Sequence, residues 1–365
     1  MKLGLFDMPL HSPDRNLTET YDLNLELLKL ADKLGYDEAW IGEHFTIVWE
    51  NMPAPDLFIA RALGETERIV LATGVILLAF HDPVMVAHRI AMLDHLAKGR
   101  FYMGIGSGGV NTDFQVFGLD RQTANPRQRM KESMDVILKL WTEDDPFEYK
   151  GDFFHVKSPD PIDSVKLYYH MKPYQKPHPP IAVAGSSPDS DTLLMGGEMG
   201  WWPMSGLFLH HSVLSRNWDV VEKGAAMTGK KPSRNEWRIA RQVHVADTTE
   251  QAREEALNGP MAHSFVNYFR PLMGLSGSYT NLKTELDMPD EALTPEYMLD
   301  NFWIVGDPDS CIRQLRDLYD EVGGYGTLLI VCHDWGRDQK KWYHSLELMS
   351  KEVLPALQGP PEPET

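Results

Sequence analysis

Between Leu3 and Gly109 the chain passes four times from a short apolar strand into polar or glycine-rich residues, with a helix-like stretch following each strand. The strand ends are Phe6-Asp7, Gly42-Glu43-His44, Thr73-Gly74-Val75 and Gly104-Ile105-Gly106-Ser107-Gly108-Gly109. Strands that alternate with helices pair in parallel, because each return crosses over a helix instead of turning in a hairpin. Reactive residue types recurring where strands end add a second constraint. A (β/α)₈ barrel carries its chemistry on the loops that follow the strands, and a single barrel of this α/β class is the fold expected here.

The alternation continues to the C-terminus. Strands are expected at 2–7, 38–42, 69–78, 100–105, 180–184, 201–204, 237–246 and 326–332, which makes eight. Helices are expected at 18–34, 56–65, 83–96, 126–141, 212–227, 249–257 and 338–357, with others beginning after 185–188 and after 305–310. The first helix has Thr18 or Thr20 as its cap, Leu23, Leu27, Leu30 and Leu34 at helical spacing, and Gly35 as its stop. Two stretches break the rhythm as insertions after strands four and seven. Residues 142–179 are rich in Pro, Asp, Tyr and His, with a hairpin expected over 147–156, and residues 258–295 have the length of a lid or a disordered loop. One barrel over 1–357 fits better than two domains, and a disordered tail is expected over 358–365.

Composition narrows the function classes. Of 365 residues 42% are hydrophobic, enough for a large core, yet no apolar run reaches the roughly 18 to 20 residues of a membrane helix. The N-terminus enters a strand directly, without the pattern of a signal peptide, so a cytoplasmic protein is expected. Cys311 and Cys332 are the only cysteines and lie in no metal-type spacing. With 53 acidic against 35 basic residues the net charge of -18 repels nucleic acid and anionic membranes. A bound phosphate would then be caught locally, by backbone amides and helix N-termini.

His44 is the leading catalytic candidate, since an imidazole at a strand end can hold a proton near neutral pH and Glu43 stands beside it to orient it. A histidine closing the barrel mouth by hydrogen bonding is the competing reading. The segment 104–109 lacks the spacing of a dinucleotide fingerprint and the P-loop lysine. Its glycines either let a flat ring lie against the strand end or serve a tight bend. Gly185-Ser186-Ser187-Pro188 places hydroxyls and amides before a helix, as an anion site or as ordinary caps. Trp49, Trp201, Trp202, Phe208, Phe265, Tyr268, Phe269, Trp303 and Trp335 are core by default, and any three facing the mouth would wall an apolar pocket.

Glu43-His44-Phe45-Thr46, Ala72-Thr73-Gly74-Val75, 93–101, Gly104-Ile105-Gly106 to Asp113-Phe114, and Val305-Gly306-Asp307-Pro308 occur in order over almost the whole chain. As a set they resemble the bacterial luciferase-like superfamily of flavin-dependent monooxygenases. Trp49-Glu50-Asn51 and the segment from Trp342 look more like the terpene and terpene-ketone oxygenases, the limonene and diketocamphane branch, than the light emitters.

The resemblance implies an enzyme that takes FMN, as FMNH2, from a separate flavin reductase. Through a flavin C4a-hydroperoxide it would insert one oxygen atom of O2 into a small hydrophobic substrate. By position His44 matches the active-site histidine, Gly106, Ser107 and Gly108 the loop beside the flavin, and Gly185, Ser186 and Ser187 the phosphate-binding turn. Gly74 and Val75 match a site where relatives often have a non-proline cis peptide, and 258–295 matches a mobile lid. A homodimer is implied as well. Luciferases carry a basic residue where Ser107 stands and an acidic one where Gly185 stands, and relatives commonly place histidine where Asp82 precedes Pro83. Two other readings stay open, a deazaflavin-dependent oxidoreductase on the same barrel and a flavin-binding protein without turnover.

Overall fold

Eight parallel strands close on themselves in sequence order: β1 (Lys2–Leu10), β2 (Glu38–Ile41), β3 (Val70–Leu77), β4 (Phe101–Gly106), β5 (Ile181–Gly185), β6 (Trp202–Ser205), β7 (Arg238–Arg241) and β8 (Thr327–His333), with β8 beside β1. This is the expected (β/α)₈ barrel, seen in a computed structural model that describes residues 1–207 and 209–358. Phe208 and the tail beyond Gln358 lie outside the described residues.

Side-chain alternation builds two layers of core. Leu3 and Leu5 of β1 pack outward under the helices, while Phe6 and Met8 face the barrel interior, and β8 divides likewise into Leu328 and Ile330 against Leu329 and Val331. At the lower end the interior is closed by a buried ion pair, Arg238 Nε to Glu38 Oε1 at 2.9 Å, with the guanidinium 4.2 Å from the Trp202 ring centroid. Trp202 therefore belongs to the base of the barrel. Trp201 packs in the outer layer and neither wall the mouth.

Four sequence expectations change. The first helix, Leu17–Leu34, is capped by Asn16, whose side chain accepts from the Thr18 and Glu19 amides, and it ends at Gly35 in the left-handed region as expected. The strand expected at 237–246 is two, because after β7 the chain leaves the barrel and Val243–Val245 pairs in parallel with Ile304–Gly306. The helix expected at 338–357 is interrupted by a wider turn over Met349–Val353. The segment 258–295 is no structureless loop. It folds as Pro260–Ser264, a wide turn Phe265–Phe269, Arg270–Leu275 and shorter turns, and it buries Met261, Phe265, Phe269 and Leu282 with the residues of the barrel interior. Residues 142–179 do contain the expected hairpin, Glu148–Lys150 against His155–Lys157.

Candidate active site

His44 stands two residues past Gly42 at the upper end of the barrel, 17% exposed, with a carboxylate at each ring nitrogen. Nδ1 lies 3.3 Å from Asp113 Oδ2, and Nε2 forms an ion pair at 2.9 Å with Glu50 Oε2. Burial works against a charged imidazole here. The Glu50 charge and the contacts with Asp113 outweigh it and push His44 up to about 10, so the ring is an imidazolium at neutral pH. Asp113 is held low in return: burial opposes this, but His44 and Thr46 prevail.

Asp113 sits on the short helix Asn111–Val116 after β4 and ties that loop to the one after β2. Thr46 Oγ1 donates to its Oδ1 at 2.5 Å and the Phe45 amide at 3.3 Å. Glu50 is shared differently. Tyr268, from the segment over the mouth, turns its phenol toward Glu50, and burial first, then the Glu50 charge, drives that phenol up. Trp49 stacks on Tyr268 with ring centroids 5.7 Å apart at 12°. The segment after β7 thereby touches the histidine's own partner.

Glu43 does not orient His44. Its carboxylate accepts from the Leu77 amide at 2.6 Å and lies 3.0 Å from His81 Nε2, bracing the loops after β2 and β3. Asp82, standing where relatives place histidine, caps the helix Pro83–Ala97 by accepting from the Val84 and Met85 amides.

The Gly74–Val75 peptide is cis, as the resemblance implies. Gly106 ends β4 where a Cβ would stand 2.6 Å from Val75 Cγ2, and Gly108 has φ +82 beside the Phe80 and Phe114 rings. These two glycines answer to the protein's own close packing and backbone. Gly109 has nothing within 4 Å of its Cβ position. Ser107 borders this loop half-buried.

Across the β4–β5 edge, Gly185 is buried at the strand end, and Ser186 and Ser187 precede the helix Asp191–Met199. Ser190 is the cap there, since its hydroxyl accepts from the Leu193 amide. Asn217 Nδ2 donates to the Ser187 and Pro188 carbonyls and fixes the turn. Among the described residues the Ser186 and Ser187 hydroxyls are uncommitted. The two acids that flank them are neutralised, Asp189 by Arg216 and Asp191 by Arg127.

Of the aromatic candidates, Trp49, Tyr268, Phe265 and Phe269 lie at the mouth or under the segment that covers it. Trp303 packs against Phe265 at 6.2 Å, and Trp335 stacks on His244 and borders the same cleft as Trp49. A second aromatic group was not singled out from sequence: Phe45, Phe80, Phe114 and Phe117, with Phe80 and Phe117 stacked at 4.9 Å, line the loops after β2, β3 and β4. By the ends of β8 and β1 opens a cleft of about 610 Å³, bordered by Trp49, His263, Ser264, His333 and Asp334. Its rim carries Asp14, Glu254, Glu255 and Asp338 as well, so it is more polar than the apolar pocket expected.

A family model described as luciferase-like monooxygenase matches residues 1–326. The 4-hydroxyprotoasukamycin monooxygenase of Streptomyces nodosus subsp. asukaensis is 33% identical, over 98% of this chain and 93% of its own length. Limonene 1,2-monooxygenase of Rhodococcus erythropolis is 30% identical, over 98% of this chain and 86% of its own. Among solved structures, the oxygenating constituent of 3,6-diketocamphane monooxygenase from the CAM plasmid of Pseudomonas putida, a type II Baeyer-Villiger monooxygenase in complex with FMN, matches with a TM-score of 0.91 at 31% identity, covering 97% of this chain and 98% of that one.

Proposed function

The chain belongs to the luciferase-like monooxygenase family, and from that premise we propose that it is the oxygenase component of a two-component system. It takes reduced FMN from a separate flavin reductase and inserts one oxygen atom of dioxygen into a small hydrophobic substrate, a terpene, cyclic ketone or aldehyde. The observation that carries this is the cationic His44, clamped by Glu50 and Asp113 at the barrel mouth, in a fold that matches an FMN-bound Baeyer-Villiger oxygenase over its whole length.

The residues present fit such a cofactor. Free hydroxyls at Ser107, Ser186 and Ser187, with flanking acids already paired to arginines, suit a phosphate monoester that the acidic protein would otherwise repel. The open face at Gly109 leaves room for a flat ring. When bound, reduced FMN supplies the activation of dioxygen and the transfer of one oxygen atom.

The chain's own groups do the rest. His44 places a fixed positive charge and a proton on Nε2, and Glu50 is the partner it gives up to donate that proton. Asp113 keeps the ring's other nitrogen in place. Phe265, Tyr268 and Phe269 cover the mouth and exclude water. We place the second copy of a homodimer on the helices Pro55–Leu63 and Pro83–Ala97, where Leu57, Met85, Met92 and Leu96 are left exposed together.

The test is turnover with isotopically labelled dioxygen, a flavin reductase, NADH and FMN against a panel of terpenes, cyclic ketones and aldehydes. One labelled oxygen in a product, dependent on the reductase, is the expected result. Complete conversion of dioxygen to hydrogen peroxide across the panel would overturn the reading.

A further inference from the structure

The outer face of β1 holds an acid that the proposed chemistry does not use. Asp7 alternates outward with Leu3 and Leu5, toward the helix Leu17–Leu34, and is wholly buried. Among the described residues neither of its carboxyl oxygens has a hydrogen-bond partner. It borders a cavity of about 10 Å³ together with His11, Asn24, Cys332, His333 and Asp334. Asn24 Nδ2, His11 Nε2 and His333 Nε2 are likewise buried without partners. Four residues around one cavity each carry an orphaned polar atom, although each orphan costs about 1 to 3 kcal/mol if nothing meets it. The volume is that of one water, for which roughly 10 to 15 Å³ suffices.

The hydrogen-bond inventory sets who donates. His11 Nδ1 lies 2.7 Å from Asp334 Oδ2, a carboxylate oxygen that accepts, so Nδ1 carries a proton, and in the imidazole tautomer that this bond selects Nε2 is an acceptor. Ser264 donates its hydroxyl to the Met261 carbonyl, which leaves it to accept from His333 Nδ1 at 3.5 Å. His333 Nε2 is then bare, and burial pushes that ring down to about 3 and keeps it neutral. Asn24 brings an N–H. A water with two O–H groups for the imidazoles and one lone pair for the amide has one lone pair left, and an O–H on Asp7 fills it. A carboxylate at Asp7 would instead compete with both imidazoles for the water's two protons. The titratable groups facing the cavity are His11 from the loop after β1, and Cys332, His333 and Asp334 from β8 and its loop. The helix Leu17–Leu34 adds only Asn24 and two leucines, and Gln339 completes the far side. Among the described residues no lysine or arginine lines the cavity to hold Asp7 ionised.

We propose that this cavity binds one water molecule, that Asp7 stands beside it as the un-ionised acid, and that water, His11 and Asp334 form a proton path from the barrel wall to the cleft at the mouth. Asp334 lines both the cavity and the cleft, where Arg15 Nε lies 2.9 Å from it. Outward transfer breaks the Asp7 O–H bond as its proton joins the water. The water passes one of its own protons to His11 Nε2, and His11 releases the Nδ1 proton to Asp334 Oδ2. One proton moves, no electron does, and Asp7 becomes the carboxylate. At rest the proton stays on Asp7, raised to about 7 by burial, because His11, the Gly336 amide and Arg15 outweigh burial at Asp334 and hold that carboxyl low.

Infrared spectroscopy of the full-length protein reads an un-ionised carboxyl through its C=O stretch. A band present in acid, fading as pH passes neutrality and missing in Asp7→Asn, is expected; Asp7→Leu serves for the assignment if Asp7→Asn does not fold. His11→Gln keeps a hydrogen-bonding side chain but cannot relay a proton, so exchange of the Asp7 band into heavy water should slow about a hundredfold, the lower end of what a positioned proton-transfer group contributes. Absence of an Asp7-dependent band overturns the un-ionised acid, and unchanged exchange in His11→Gln overturns the path. A wild-type band that weakens when sodium or potassium replaces a bulky organic cation would put a metal cation where we place water, and would overturn the site.

Discussion

Replacing Glu50 with Gln separates the charge on His44 from its position. The side chain keeps its shape and an accepting oxygen, but the cluster changes from one imidazolium with two carboxylates to one with Asp113 alone. A matched pair remains, so the variant avoids the large penalty of an uncompensated buried charge. His44 is pushed up to about 10 from 6.5, and at about 1.36 kcal/mol per unit the raise amounts to at most roughly 5 kcal/mol of charge stabilisation. Because the folded value is raised, this stability is fully present below 6.5 and is lost as pH rises through about 10. Burial opposes the charge in full whichever carboxylate remains, so if the two share the attraction about equally, Glu50→Gln brings the midpoint to roughly 8 or below. Histidine labelled with carbon-13 in the ring, followed by NMR against pH, reads this directly, with the His44 signal identified by its absence in His44→Gln. The alkaline limit of product formed per dioxygen consumed should fall by the same interval. A His44 that titrates near its ordinary value in the wild type, or at an unmoved value in Glu50→Gln, would refute the argument.

Three further outcomes follow from particular side chains. Asp7→Asn should stabilise the protein at pH 8 by up to roughly 4 kcal/mol and leave it unchanged near pH 4, because an acid raised from 3.8 to about 7 costs stability as pH climbs through that interval; urea unfolding at both pH values checks it, and equal stabilities at pH 8 would count against it. Ser186→Asp sets a carboxylate where we place the flavin phosphate and should weaken FMN binding about tenfold or more in equilibrium titration, the equivalent of about 1.4 kcal/mol, whereas unchanged binding would move the phosphate elsewhere. Met92→Lys, on the exposed face of the helix Pro83–Ala97, should shift sedimentation from dimer to monomer without loss of helix signal, and a monomeric wild type would remove the dimer proposal.

The eight barrel strands stand where the sequence places them because parallel strands, buried on both faces, read as compact apolar runs such as Val70–Leu77 and Thr327–His333. Capping and continuation are less legible. Asn16, Thr18 and Thr20 all have capping chemistry, and only the backbone shows that Asn16 receives the amides. Through 237–246 the polar Arg238, Arg241, Gln242 and His244 are interspersed with apolar residues, and that pattern does not mark Gln242 as the residue where the chain leaves the barrel. The stretch 258–295 misleads for a physical reason: its glycines and prolines punctuate short helices whose Met261, Phe265 and Phe269 find their core in the barrel instead of in one another. At the site His44 was legible from its strand end, but its partners were not. Glu43 is adjacent in sequence and turned away to the Leu77 amide and His81, while Asp113 is 69 residues distant and reached only because loops after neighbouring strands meet. Thr46 and Asp113, both inside stretches that carry the family resemblance, were the available signal, and Thr46 does bond Asp113.

Asp7 and His44 show why burial alone does not fix a charge. Both are removed from water, and burial presses each toward its neutral form. Among the described residues no lysine or arginine lines the cavity beside Asp7, so burial decides and the acid keeps its proton up to about 7. His44 has two carboxylates within 3.3 Å, so the partners decide and the ring keeps its proton up to about 10. At neutral pH the upper half of the barrel therefore retains protons on two groups that free side chains would largely release. One borders a cavity that shares Asp334 with the cleft, and the other stands at the mouth itself. An oxygenase that leaves the second oxygen atom of dioxygen as water needs protons delivered where bulk water is excluded. Glu50→Gln and Asp7→Asn, made separately and together, test whether the two stores are independent: separated groups give additive changes in the pH profile, while a shared proton path makes the double variant depart from the sum.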